Sequence, residues 1–254
     1  MVRRTVVLLC LMMCLSVVHA AHHPRGGRVW TYANLTTVMS PHWAFVAMPG
    51  VRYEFARSDP ISFAPAKKLY FFELLVGPVY TIRVTPAFVL KLPLWYYYMG
   101  YPVNATDDFY YSHNIEFLPI VELKTDKLTL TSRTIFHNTI YATVYETMEE
   151  RRGYGLVVRE MLKLDYRFNE TLSLVIAEEL FWGIIEDSDA PTHVLGYWPR
   201  GFQMNRVYTG LNIRVGPHYM ISPQYVYETS YDSGLVVGEN HYVYVTFTRV
   251  LKLF

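Results

Sequence analysis

The sequence predicts an all-β fold, an antiparallel up-and-down transmembrane β-barrel of 10–12 strands, with 12 favoured. The first observation behind this prediction is that long runs of the chain alternate polar and apolar side chains. The second is that the connections between these runs alternate between short and long, and the third is an export signal at the start. Because a strand places successive side chains on opposite faces, each run has an apolar face, expected to contact lipid, and a polar face, expected to line a lumen.

Residues 1–20 have the three parts of a secretory signal peptide. Arg3-Arg4 forms the charged end, residues 5–18 form the apolar stretch, and Val18-His19-Ala20 offers a small-residue cleavage site. The apolar stretch is too short for a transmembrane helix. The sequence therefore predicts a cleaved signal peptide that leaves residues 21–254 as a single outer-membrane barrel domain.

The composition excludes several classes of protein. Cys10 and Cys14 both lie inside the predicted signal peptide, so the mature chain has no disulfide scaffold, thiol nucleophile or cysteine-ligated metal. The net charge of +1 argues against nucleic-acid binding. The 22 tyrosines and 5 tryptophans favour a membrane interface, although a tyrosine-rich soluble sandwich has a similar composition. No metal or cofactor is predicted, since His22-His23 supplies only two ligands.

The most apolar region of the mature chain, residues 69–101, does not predict a spanning helix. A helix in a bilayer does not tolerate many charges and breaks. Membrane insertion would therefore require a closed barrel, in which every backbone hydrogen bond is satisfied between strands. The interrupting residues are Glu73, Pro78, Arg83, Pro86, Lys91 and Pro93.

Eleven strand-like runs follow the signal peptide, each bounded by turn-forming residues. They are longer than the usual globular strand of roughly 5–6 residues, and they are long enough to span a bilayer when tilted. The predicted runs are 28–39, 42–57, 67–84, 86–99, 108–123, 127–146, 154–167, 171–184, 203–215, 218–230 and 239–254.

The connections between the runs predict two different rims. Outer-membrane barrels have tight turns on the periplasmic side and longer loops outside, whereas a sandwich has no reason to segregate its loops in this way. The short connections are Ser40-Pro41, Thr85-Pro86, 124–127, 168–170 and Gly216-Pro217, and the long ones are 58–66, 100–107, 147–153, 185–202 and 231–238.

The count of eleven runs conflicts with the even number of strands in bacterial barrels. A count of ten results if the run at 28–39 lies outside the barrel. A count of twelve results if two strands are merged, either near Pro49-Gly50 or within residues 67–99. We favour twelve.

Charged side chains gather on one face of several runs, and this face is expected to line the lumen. Lysine or arginine on the lipid face near the midplane would destabilise the inserted barrel by about 2–4 kcal/mol each. Glu160 breaks the pattern by falling on an apolar face, so either it lies near a membrane boundary or the register assumed for this run is wrong. The candidate lumen residues are Arg52, Glu54, Arg133, Arg159, Lys163, Arg167, Arg206, Arg214 and Glu228, with Arg83, Arg249, Glu116, Asp165 and Glu179 as further members.

These candidate lumen residues fit two roles. Basic groups outnumber acidic groups among them, which favours an anion-favouring passage or pocket. Small barrels also fill their interior with side chains, and cross-strand ion pairs would then hold the walls together. We favour the filled interior.

Catalytic signals are weak. Ser112-His113 and His137 offer residue types found in hydrolytic sites, but adjacent residues on a strand point to opposite faces. The same geometry separates Glu178 from Glu179. No converging nucleophile and base are predicted, so the protein is not expected to be an enzyme.

Four features follow one another in the C-terminal half of the chain. They are the strand that contains Arg133, the acidic-aromatic stretch at 177–182, the segment 205–210 after a long loop, and a tyrosine-rich last strand ending in Phe254. On these features the chain resembles the bacterial outer-membrane barrels of the domain-of-unknown-function family 2490, over residues 128–254. The resemblance implies an outer-membrane barrel and supplies no established activity or catalytic residue.

The sequence therefore predicts an integral protein of the bacterial outer membrane, acting as a narrow anion-favouring pore, a transport element or a structural wall protein. The expected partners are outer-membrane lipid and the barrel-assembly machinery, which would recognise the last strand through Phe254. Lys252 stands where such strands usually carry an aromatic or apolar residue. The alternatives are a lipid-modifying barrel enzyme and a soluble exported β-sandwich that binds a ligand.

Overall fold

The computed structural model of the chain describes residues 25–57, 69–102, 109–143, 150–186 and 199–253. The predicted signal peptide and Phe254 lie outside these described residues. Among the described residues, no helix is long and apolar enough to cross a membrane. The described parts of the chain form twelve strands: β1 (Arg25–Val38), β2 (Trp43–Arg57), β3 (Leu69–Arg83), β4 (Phe88–Pro102), β5 (Phe109–Phe117), β6 (Ile120–Lys124), β7 (Leu128–Thr143), β8 (Glu150–Arg167), β9 (Leu172–Ile185), β10 (Gly201–Val215), β11 (Tyr219–Asp232) and β12 (Leu235–Lys252).

The sheet closes on itself as a barrel with eleven positions in its wall. Apart from β5 and β6, each strand pairs with its neighbours in sequence, and β1 pairs with β12 to close the ring. Strands β5 and β6 share one position, because both pair with β4 on one side and β7 on the other. The predicted β-barrel is confirmed, and a two-sheet sandwich is excluded because the sheet is continuous around the ring.

The closing pair is parallel, whereas the other pairs of the barrel are antiparallel. This follows from the odd number of wall positions. Strands that alternate in direction bring the first and last strand of an odd-numbered barrel side by side in the same direction. The parallel register runs from Arg25 opposite Glu239 to Val38 opposite Lys252.

The predicted count of twelve strands is correct, but the expected reasons for it are wrong. The run at 28–39 lies in the barrel wall as β1 and pairs on both sides. The interruption falls in the run at 108–123, where Pro119 lacks the N–H that a continuous ladder requires. Residues 67–99 contain only the predicted turn between β3 and β4.

Pro49-Gly50 does not divide β2, although proline and glycine usually interrupt strands. The ring of Tyr32 covers Gly50 inside the barrel, and a Cβ atom at Gly50 would come within 2.4 Å of that ring. The glycine therefore provides space for an inward-facing aromatic side chain.

The two rims of the barrel differ in their connections. The five short connections all lie at one rim, here called the short-turn rim, as the sequence predicted. Most connections at the opposite rim, the long-loop rim, are longer. The long loop predicted at 231–238 is wrong, because Ser233 and Gly234 form a two-residue turn with φ values of 50° and 81°.

Side chains alternate between the lumen and the outer wall along each strand. On β3, for example, Phe71, Glu73 and Leu75 are buried in the lumen, whereas Leu74 and Ile82 are exposed outside. Each of the twelve strands carries at least one exposed large apolar side chain. The exposed surface of the wall is therefore apolar, while charged groups are buried inside.

Candidate functional site

Ten inward-facing charged side chains form a continuous set of contacts across the lumen. We call this set the charged belt. It combines equal numbers of arginines and glutamates, so its formal charges balance. The arginines are Arg28, Arg52, Arg133, Arg159 and Arg206, and the glutamates are Glu54, Glu73, Glu116, Glu179 and Glu228.

Glu179, on β9, is the most connected carboxylate of the charged belt. Arg133 Nη2 and Arg159 Nη2 each lie 2.8 Å from its Oε1 atom. The hydroxyl of Tyr208 donates a hydrogen bond to its Oε2 atom at 2.7 Å, and Arg206 Nη1 lies 3.9 Å from the same oxygen. Because Glu179 is fully buried, its charge depends on these partners rather than on water for stabilisation.

A second group of contacts runs from β10 to β2. Arg206 Nε donates to Glu228 Oε2 at 2.6 Å, and the hydroxyl of Tyr242 donates to Glu228 Oε1 at 2.6 Å. Tyr242 in turn accepts a hydrogen bond from Arg28 Nη1 at 2.7 Å. Arg28 Nε completes the path with an ion pair to Glu54 Oε2 at 2.8 Å. Five successive wall positions, from β10 through β11, β12 and β1 to β2, are therefore connected through side chains on the lumen side.

Trp30, on β1, lies between two arginines that come from different parts of the wall. The guanidinium carbon of Arg52 lies 3.9 Å from the centroid of the Trp30 ring, and that of Arg206 lies 4.8 Å away. Arg52 also forms an ion pair with Glu73 at 2.9 Å. The hydroxyls of Tyr32 and Tyr97 donate to the same Glu73 carboxylate. Since β10 and β1 are not neighbours in the wall, these contacts extend across the lumen.

Glu116 and His137 form the part of the charged belt that lies between β5 and β7. His137 Nδ1 lies 2.8 Å from Glu116 Oε1, and Thr139 Oγ1 lies 3.4 Å from His137 Nε2. Arg159 Nη1 lies 3.6 Å from Glu116 Oε1 and joins this pair to Glu179. All three members of the line from Glu116 to Thr139 are buried.

Ser112 and His113 lie on opposite faces of β5, as strand geometry predicts. Ser112 is fully buried in the lumen, where its hydroxyl accepts a hydrogen bond from Asn114 Nδ2 at 3.0 Å. His113 lies on the outer wall, where the hydroxyl of Tyr96 contacts its Nδ1 atom. The two side chains therefore do not form a local nucleophile–base pair.

The structure brings eight of the predicted lumen residues together in the charged belt. Lys163 lies apart from the belt, at the wall of a lumen cavity. Arg167 and Arg214 lie exposed at the short-turn rim, and Arg249 lies on the outer wall over the Tyr219 ring. The expectation that Arg249 lines the lumen is wrong. The eight predicted residues found in the charged belt are Arg52, Glu54, Glu116, Arg133, Arg159, Glu179, Arg206 and Glu228.

The sequence prediction did not include Arg28 and Glu73 in the lumen. Arg28 lies in a run that was not assigned firmly to the barrel, and Glu73 lies in a mostly apolar run. Phe71, Glu73 and Leu75 share one face of β3, because side chains two positions apart on a strand point the same way. This two-residue spacing was the sequence signal that could have placed Glu73 in the lumen. The predicted excess of basic groups does not extend to the charged belt, where arginines and glutamates balance.

The outer wall carries polar groups among its apolar side chains, and Glu160 is on this wall, the face on which the alternation of its run predicts it. Glu160 lies in the middle of β8, away from either rim, and accepts hydrogen bonds from Ser132 and Thr134 at 2.8 and 2.5 Å. On the neighbouring strand, Glu178 accepts a hydrogen bond from Asn205 at 3.2 Å. Hydrogen bonds from side chains of adjacent strands therefore partly satisfy the oxygens of these outward-facing carboxylates.

A cavity of about 600 Å³ adjoins the charged belt inside the barrel. On the short-turn side of the belt its wall includes Met48, Leu75, Trp95, Met161 and Ala177. No group of three or more histidine, cysteine, aspartate or glutamate side chains that could hold a metal ion occurs among the described residues.

The fold and the lumen define a class of protein, a closed β-barrel whose interior is crossed by ion-paired and aromatic side chains. The chain belongs to the family described as protein of unknown function (DUF2490), whose family model matches residues 27–236. The match confirms the resemblance seen in the sequence and extends it into the first half of the barrel. No curated protein and no solved structure matched the chain in the same comparisons.

Proposed function

We propose that this protein is an integral barrel of the bacterial outer membrane with a filled lumen, and that it acts as a wall protein rather than as an open pore. The observation that carries the proposal is the charged belt. Its side chains join non-neighbouring strands, as in the contact between Arg206 and Trp30. Opening a water-filled path would require the separation of several buried ion pairs, which is strongly unfavourable.

The outer surface supports placement in a membrane. Strands of 14–18 residues, such as β1 and β8, exceed the roughly 9–11 residues that a tilted transmembrane strand needs. The exposed apolar side chains on every strand would contact lipid. Aromatic pairs such as Trp43–Tyr80 near the short-turn rim and Phe202–Tyr231 near the long-loop rim fit the interfacial belts of outer-membrane barrels.

The rims give the proposed orientation and partners. The short-turn rim would face the periplasm and the long-loop rim the exterior. Outer-membrane lipid would cover the wall. The barrel-assembly machinery would act on β12, whose outward face carries Val243, Phe247 and Leu251.

Planar-bilayer recording tests the filled lumen. Purified barrel inserted into a lipid bilayer is expected to give no resolved current steps, because the buried ion pairs of the charged belt would obstruct an aqueous path through the lumen. Two controls accompany the recording. Flotation of the protein together with the vesicles shows that it is inserted, and a change of gel mobility on heating shows that the barrel is folded. Reproducible unitary currents from such preparations would contradict the proposal and favour a narrow pore.

Membrane fractionation tests the location separately. The protein is expected to remain with the outer-membrane fraction after washing with high salt and with carbonate, because its apolar wall would be covered by lipid. A periplasmic soluble protein measured in the same cells serves as the control for release. Recovery of the folded protein in the soluble fraction would contradict an integral location without bearing on the structure of the lumen.

A further inference from the structure

We propose that the lumen cavity binds a small amphipathic anion, with an alkyl chain against the cavity wall and a carboxylate or phosphate beside Arg133 and Lys163. The inference rests on the proposed filled barrel but not on its location in the cell. The cavity volume of about 600 Å³ falls within the range of roughly 300–1,000 Å³ found for small-molecule sites.

The wall of the cavity is suited to an alkyl chain. Inward-facing Met48, Met99 and Met161 belong to its lining, together with Leu75 and Leu118. Methionine side chains are flexible and polarisable, so they adapt to apolar groups of different shape. These residues come from separate strands around the ring and therefore surround the cavity on several sides.

Arg133 provides the first contact for an anionic head group. Its Nη2 atom is paired with Glu179, but 27% of its side chain remains exposed within the structure. Its Nε atom has no hydrogen-bond partner within the described structure. A planar guanidinium with remaining donors favours carboxylate and phosphate oxygens.

Lys163 provides the second contact. It lies on β8, diagonally across from Arg133 on β7, and both side chains line the cavity. Asp165 is the next inward residue of β8, and its Oδ2 atom accepts a hydrogen bond from Asn212 at 2.6 Å. Among the described residues, no ion pair within 4.0 Å holds the Lys163 ammonium, which has Asp165 as a more distant carboxylate neighbour. Two neighbouring cations therefore face the cavity with incomplete neutralisation.

The polar part of the lining also favours an anion. Glu54 and Glu179, which balance two of the belt arginines, do not belong to the cavity wall. The indole N–H of Trp95, which lines the cavity, is buried without a hydrogen-bond partner in the described structure. Such a donor marks a place where an acceptor oxygen of a ligand would be stabilised after a small side-chain adjustment. The lining contains the cations Arg28, Arg52, Arg133, Arg159, Lys163 and Arg206 against the carboxylates Glu73, Glu116 and Glu228.

Quenching of tryptophan fluorescence by 10-bromodecanoic acid tests the proposal. The experiment uses the folded barrel in a maltoside detergent, with phenylalanine replacing Trp43, Trp182 and Trp198. The remaining Trp30 and Trp95 both line the cavity. Saturable quenching is expected with the acid, whereas 10-bromodecanol should require about tenfold higher concentrations, because one charge-assisted hydrogen bond corresponds to roughly that factor.

Two lysine variants give the matched comparison. Lys163→Gln is expected to raise the half-saturating concentration of the brominated acid about tenfold. Lys124→Gln should change it less than twofold, because Lys124 pairs with Glu122 and does not line the cavity. Heat-modifiable gel mobility confirms that both variants are folded. Absence of saturable quenching, equal quenching by acid and alcohol, or equal shifts in the two variants would each overturn the proposal.

Competition against the bound brominated acid distinguishes a free carboxylic acid from a phospholipid as the natural ligand. Displacement of the brominated acid by decanoate alone would assign the site to a free carboxylic acid. Stronger displacement by lysophosphatidylglycerol would assign it to a lipid phosphate, and either result supports the site. These measurements use folded protein in detergent and require neither a membrane nor a pore. A negative result would therefore overturn the ligand site without affecting the conclusions of the fractionation and conductance experiments.

Discussion

Replacing Glu179 with glutamine is expected to destabilise the folded barrel by about 3–5 kcal/mol, the usual effect of removing one partner from a buried ion pair. Arg133 and Arg159 both contact Glu179 at 2.8 Å, and the Tyr208 hydroxyl donates to it at 2.7 Å. The neutral amide would retain the shape of the side chain but leave neighbouring arginine charges without their shared counter-ion. Urea unfolding of the barrel in lipid vesicles, followed by tryptophan fluorescence, measures the change.

Glu178→Gln is the matched control, because Glu178 is the same residue type one position earlier. It lies on the opposite face of β9, where it accepts a hydrogen bond from Asn205 at 3.2 Å. Its replacement should change the free energy of unfolding by less than about 1 kcal/mol. Equal losses for the two variants would show that Glu179 is not the central carboxylate of the charged belt.

Leu211→Arg is expected to impair membrane insertion far more than Asn212→Arg. Leu211 lies on the outer face of β10, where an arginine would contact hydrocarbon at a cost of about 2–4 kcal/mol. Asn212 faces the lumen, where it contacts Asp165 and Ser222 at 2.6 and 2.7 Å. An arginine at that position can pair with Asp165.

The two variants can be compared by the fraction of protein that acquires heat-modifiable mobility after folding into vesicles. Comparable yields for Leu211→Arg and Asn212→Arg would contradict a lipid-facing outer wall. Because this result depends on the environment of the wall, it tests membrane insertion independently of the Glu179 comparison, which tests contacts inside the lumen.

On several strands the sequence predicted which side chains point into the lumen and which point outward. This was possible because the direction of a side chain depends only on its position within its own strand. Arg206 and Glu228, for example, were placed inside from the two-residue period of β10 and β11, and the structure places both in the charged belt. The short turns were also predicted from local residues: three of them contain proline, and the other two contain the turn-forming residues Asp126 and Asn169. The tight turn at Ser233-Gly234 was missed because the whole segment 231–238 was predicted to be a loop, although Leu235, Val236 and Val237 already belong to β12.

The partners of each charge could not be predicted, because they depend on which strands face each other across the lumen. Arg133 was predicted inside, but its contact with Glu179 skips the intervening strand β8. Arg28 was missed because β1 was not assigned firmly to the wall. Its pairing with β12 joins segments separated by more than two hundred residues, as in the hydrogen bond between Arg28 and Tyr242.

The sequence by itself determined the β-barrel class, the length of the strands, most of the turns and the side of the wall on which many side chains lie. These properties follow from local backbone geometry and from the two-residue period of a strand. Only the tertiary structure decided the eleven-position ring, the parallel closure between β1 and β12, and the balanced charges of the belt. These depend on contacts between distant segments, which a local pattern does not specify.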